Sequence, residues 1–175
     1  MNIGAIRRTQ VLNLNYSTLT TLDKINKTLI TLEVAGNQVL FIVLDEQGSI
    51  NRKGNGSPDC RDNDLFIGVT RDNLFAQLKP FATEEMEDFF GKTYDIPDKK
   101  GRACDFKVLF GGPGIETGVQ FLYGELSQGI PTPFRNFTIK AIELTENWFQ
   151  EQKQITANLK RSETNPVVKP WRKFW

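Results

Sequence analysis

The chain has 175 residues, 39% of them hydrophobic, with 22 basic and 21 acidic side chains and a net charge of +1. A domain of this length buries roughly 70% of its unfolded surface, so it needs neither a disulfide nor a metal to fold. The balanced charge argues against a general nucleic-acid binder and against an acidic nucleic-acid mimic, and the lack of histidine removes Ser-His-Asp and Cys-His catalysis, histidine metal sites and imidazole acid–base work together.

Residues 9–16, TQVLNLNY, alternate, with Leu12, Leu14 and Tyr16 on one side, and predict a short strand. Within Ser17–Lys27, Leu19, Leu22 and Ile25 suit one or two irregular helical turns. Thr28–Val34 is rich in β-branched residues and predicts a strand. Ala35-Gly36-Asn37 is a tight turn, and Gln38–Asp45 returns as the most apolar strand, expected at the centre of the sheet. Glu46–Asp64 reads as one long polar loop, because its Gly, Asn, Asp, Ser and Pro content is turn chemistry. Leu65–Thr70 predicts a further strand, in which Gly68 marks a bulge or a close backbone approach.

Asp72 is the expected cap of a helix carrying Leu74, Phe75 and Leu78 and ended by Pro80. Thr83 opens a second, with Met86, Phe89 and Phe90 inward, Glu84, Glu85, Glu87 and Asp88 toward water, and Gly91 as its stop. Lys92–Arg102 reads as a linker-like loop. Cys104–Gly124 is a pair of strands around a glycine-rich turn: Cys104, Phe106, Val108 and Phe110 share one face, as do Val119, Phe121 and Tyr123. Thr132-Pro133 is a helix start, with Thr132 as cap. From Phe134, the residues Phe137, Ala141, Leu144, Trp148, Ile155 and Leu159 recur at helical spacing. They predict one long helix, about Pro133 to Lys160, whose apolar stripe covers the sheet.

Two cysteines are no disulfide framework, and Met1–Arg8 is not followed by the apolar run of a signal peptide. The longest apolar run, Val39–Leu44, is far short of the ~18–20 residues that span a bilayer. These features point to a cytoplasmic protein with reduced thiols and no transmembrane segment.

Four stretches invite a chemical reading. Phe110–Gly118, FGGPGIETG, has phosphate-loop composition, but no Lys follows its glycines and a strand comes next. A hairpin tip is the plain reading, and a ligand-contacting loop built on Gly112, Gly114 and Glu116 is the alternative. Asp59, Asp62 and Asp64 around Cys60 match no calcium-loop spacing, since neither possible frame closes with Glu; a solvated loop of local turns explains them, and a ligand loop is again the alternative. Cys104 falls on an apolar strand face, where a buried structural thiol is the default. The tail Lys169–Trp175 interleaves Lys169, Arg172 and Lys173 with Trp171, Phe174 and Trp175. It either packs on its own domain, docks on a protein, or touches nucleic acid or a membrane surface; Trp and Arg are typical interface anchors.

The expected architecture is a single α+β domain over residues 1–161. A mostly antiparallel sheet of about five or six strands packs against a long C-terminal helix and one or two shorter helices, and residues 162–175 form an aromatic and basic tail. The expected function is a non-catalytic protein-interaction module (adaptor, inhibitor or accessory subunit) that binds another protein through Trp171, Arg172, Lys173, Phe174 and Trp175, without catalytic residues, cofactor or metal. The competing expectation is a small-molecule binder or histidine-free hydrolase, with its site between the loop 46–64 and the hairpin 111–118.

Overall fold

A computed structural model describes residues 20–59 and 64–164 of the chain. Strands β1 (Lys27–Val34) and β2 (Asn37–Asp45) fold onto each other because Ala35 and Gly36 both take positive φ, 50° and 77°. That turn has the twist the flanking strands need. β3 (Ser49–Gly54) and β4 (Phe66–Val69) continue the meander. Helix α1 (Leu74–Leu78) and two 3₁₀ segments lead to β5 (Lys92–Asp95), then to the hairpin β6 (Ala103–Gly112) and β7 (Ile115–Gly124), and finally to α2 (Thr132–Thr164). The seven strands form one sheet in the order β4-β3-β2-β1-β6-β7-β5, antiparallel except where β5 runs parallel to β7.

The α+β architecture is the expected one, and the strand count exceeds expectation because two presumed loops contain strands. In Ser49–Gly54 the residues Ile50, Arg52 and Gly54 alternate inward and pair with β2. In Lys92–Asp95 a short edge strand pairs with Val119–Leu122, and the Tyr94 ring stacks on Phe121 at 5.4 Å. The central strand is β1, with β2 beside it. The strand expected at 9–16 and the tail from 165 lie outside the described residues.

The caps also differ in detail. Asn73, not Asp72, caps α1: its side-chain oxygen accepts the Ala76 N–H at 3.1 Å. Glu84–Phe89 is a 3₁₀ segment. Glu87 turns inward to accept the Leu22 N–H at 3.0 Å, while its acidic neighbours Glu84, Glu85 and Asp88 are exposed. Arg135 N–H donates to the Pro131 carbonyl, so α2 begins at Thr132, and Thr132 sits inside the first turn rather than capping it.

All the described helical segments pack on one face of the sheet. The core there joins Ile30, Ile42, Ile50, Phe106, Phe110 and Phe121 to Phe75 and Leu78 of α1, to Met86, and to Phe134, Phe137 and Ala141 of α2. Leu144 and Trp148 pack against it, half-buried. The contacts of α2 give its direction. Phe134 meets Phe121 of β7 at 5.1 Å, Phe137 meets Phe110 of β6 at 5.4 Å, and Phe149 meets Phe66 of β4 at 5.6 Å. Phe134 to Phe149 is about 22 Å of helix, close to the ~24 Å of five strand spacings. α2 therefore runs across the strands, from β7 to the β4 edge, and continues beyond it. The apolar stripe outlives the sheet: Ile155 and Leu159, expected to be covered, are 52% and 59% exposed. No described helix is long and apolar enough to cross a membrane.

Candidate functional site

Where α2 leaves the sheet, the two elements form a ledge. Gly68 lets the strand come directly against the helix, with the Trp148 ring in the space a side chain would occupy. This is the close approach expected at that glycine. On the opposite face of β4, Ile67 and Val69 are 72% and 73% exposed. Their sequence neighbour Leu65 is exposed too, and so are Ile155 and Leu159 on the projecting helix. Nothing among the described residues pairs with the outer side of β4.

Beside the ledge stands Arg52, which no sequence feature singled out. Its guanidinium is fully buried and satisfied from four directions. Nε donates to the Gly54 carbonyl at 3.1 Å, Nη1 donates to the Ile142 carbonyl at 2.9 Å and to the Thr145 hydroxyl, and Nη2 donates to Glu146 at 3.0 Å. The Phe149 ring lies 4.8 Å from its central carbon. A buried cation this well bonded ties the sheet to the helix and fixes the angle at which α2 overhangs. The signal that could have found it is the alternation Ile50-Arg52-Gly54, two residues apart and bounded by polar Asn51 and Lys53.

The other predicted positions are scattered. Gly112, Gly114 and Glu116 lie at the β6–β7 tip, where Gly114 takes φ 70° in the turn and Gly112 lies tight against the backbone of Lys24. Lys27 and Gly111 are opposite each other in the ladder, so the tip shares an end of the sheet with the start of β1. Asp59 is at the other end, a strand length of about 30 Å away, with Arg102 at 3.8 Å. Asp64 is exposed at the start of β4, next to the projecting part of α2. The structure thus brings Asp59 to Arg102 but does not bring the aspartates to the glycine tip. Asp62 and Cys60 lie outside the described residues, as do Trp171, Arg172, Lys173, Phe174 and Trp175.

The Asp59 end has its own ionic chemistry. Arg102 binds Glu125 bidentately, both contacts at 2.7 Å. These bonds hold the Glu125 carboxyl below its usual range and raise the guanidinium further. Nearby, burial pushes the Cys104 thiol up, and burial first, then Cys104, pushes the Tyr123 phenol up to about 12. Both groups stay protonated at neutral pH, so neither is a ready nucleophile there. Among the described residues no three of His, Cys, Asp and Glu converge to hold a metal ion.

No protein family, curated protein or solved structure matches this chain.

Proposed function

We propose that the protein is a non-catalytic interaction module of the cytoplasm that binds another protein at the edge formed by β4 and the projecting end of α2. One observation carries this reading. Nine large hydrophobic side chains are exposed among the described residues, and five of them flank this edge: Leu65, Ile67 and Val69 in and beside β4, and Ile155 and Leu159 on the projecting helix. Concentrated apolar surface of this kind marks interaction sites, whereas single exposed apolar residues are ordinary. Trp171, Arg172, Lys173, Phe174 and Trp175 follow α2 in the chain and belong to the same reading as a second contact.

The test is site-specific photo-crosslinking from position 155 of the full chain in cell extract. A discrete cross-linked protein is expected. It should be lost on Leu159→Glu and kept on Leu126→Glu, which alters a still more exposed leucine elsewhere, with both variants melting like the parent. Truncation after Thr164 measures the tail's share. Equal cross-linking in the two leucine variants would remove the edge from the function.

A further inference from the structure

Helix α2 starts over β7, one strand short of the β5 edge: Phe134, in its first turn, packs on Phe121. The next inward residue along the sheet is Tyr94 of β5, the ladder partner of Phe121, and it stays half-buried. A cavity of about 400 Å³ lies there, within the size of ligand pockets, about 300–1,000 Å³. Three rings that touch one another line it. Tyr94 stacks on Phe121 at 5.4 Å, and Phe89 meets them at 5.3 and 6.0 Å. Ile96 and Ile130 extend the apolar wall.

Two charged side chains line the same cavity, Asp95 and Arg135. Asp95 already accepts the Lys99 ammonium at 2.5 Å, so its charge is met. Arg135 has no acidic partner among the described residues. Its Nη2 alone donates, to the Gln128 and Ile130 carbonyls at 3.5 and 3.4 Å, which is the long limit for such bonds. Both acceptors are uncharged. A guanidinium carries five N–H donors, and those on Nε and Nη1 bond nothing among the described residues.

We infer that this cavity binds a small aromatic carboxylate. The ligand's ring lies among Phe89, Tyr94 and Phe121, where offset or edge-on contacts with other rings are favourable. Its carboxylate takes the donors that Arg135 has left, a charge-assisted contact stronger than a neutral one. A neutral ring would leave those donors to water, and a saturated acid would lose the ring contacts. The site lies at the sheet edge opposite β4, so it does not depend on the interaction reading above.

The experiment titrates the full chain with 2-naphthoate and follows the backbone amides by NMR. Saturable shifts are expected at 94–96 and 128–135, with a Kd of about 1 mM or tighter. The uncharged 2-naphthamide and the saturated decahydro-2-naphthoate should each bind several-fold more weakly. Arg135→Gln, a change at an exposed position, should weaken naphthoate binding about tenfold and leave the melting temperature of the free protein unchanged, with Arg135→Lys in between. Tyr94→Leu keeps the apolar bulk and should also weaken binding; should it fail to fold, the saturated acid makes the same comparison on the parent chain. Equal binding of the amide or of the saturated acid, an unchanged affinity in Arg135→Gln, or shifts that map elsewhere on the protein overturns the site.

Discussion

The Trp148 indole fills the space that a side chain at position 68 would need: a Cβ on Gly68 would stand 2.8 Å from its Cζ2 atom. The Trp148 indole is what separates strand from helix here, and it sets how closely α2 passes over the sheet edge. A rigid ring cannot shorten to make room, so Gly68→Ala pushes β4 and α2 apart. The expected cost is about 1–3 kcal/mol in urea denaturation. Combining it with Trp148→Leu should cost less than the sum of the single changes, because the two sites share one contact.

Arg52 is expected to be the most damaging polar position. Arg52→Ala strips hydrogen-bond donors from the Gly54 and Ile142 carbonyls and from Thr145, and leaves a void beneath Phe149. The loss should reach about 3–5 kcal/mol. Glu146→Gln should stay within about 1 kcal/mol, since the Glu146 side chain is 41% exposed. Equal effects of the two changes in a denaturant melt would contradict the view that the backbone contacts matter most.

The Arg102–Glu125 pair has a signed pH signature. Hydrogen bonds from Arg102 depress the folded-state value of Glu125. The pair's contribution is therefore complete above the ordinary carboxylate range and fades as pH falls through the depressed value. In Arg102→Gln the Glu125 midpoint should move up toward the ordinary range, as followed by NMR titration of its side-chain carboxyl carbon. An unmoved midpoint would assign the shift elsewhere.

Tyr123 gives the alkaline counterpart. Its phenol ionises near 12 in the folded chain, held up chiefly by burial, against an ordinary value of 10.0. The unfolded chain therefore ionises first, and stability should decline as pH rises between those values. Ultraviolet absorbance titration should resolve one tyrosine ionising late, and Tyr123→Phe should remove that late step.

Burial separates the two ends of α2. Phe137→Ala opens the core and should cost about 3–5 kcal/mol. Ile155→Glu and Leu159→Glu change exposed positions and should stay within about 0.5 kcal/mol. Thermal melts of the three variants suffice; a large loss at Ile155 or Leu159 would mean that the helix end is packed.

β1, β2, β6, β7 and most of α2 are legible in the sequence because each repeats its pattern over many residues and buries the side it predicts. β3 is hidden by Arg52, a charged residue at an inward position. It can sit there only because Ile142, Thr145 and Glu146 supply acceptors from some ninety positions further along the chain, and no local window contains that information. β5 is hidden by its shortness: Tyr94 is its only half-buried residue, and its pairing comes from β7. Ile155 and Leu159 continue a genuine helical stripe, but periodicity does not record where the sheet beneath it stops. The candidate edge is half legible for the same reason. Leu65–Thr70 reads as a strand, while its place at the border of the sheet follows only from strand order.

The transverse path of α2 also dictates an order of events on the ribosome. β1 must find β6, from which it is separated by β2 to β5 and α1, before the two halves of the sheet are joined. The bar that braces both halves is translated after every described strand. At about 5–20 residues per second, the stretch from Gly124 to Phe149 takes on the order of one to five seconds to synthesise. For that interval Phe106, Phe110 and Phe121 lack the helix that covers them, and the nascent chain is at its most aggregation-prone just before α2 is made.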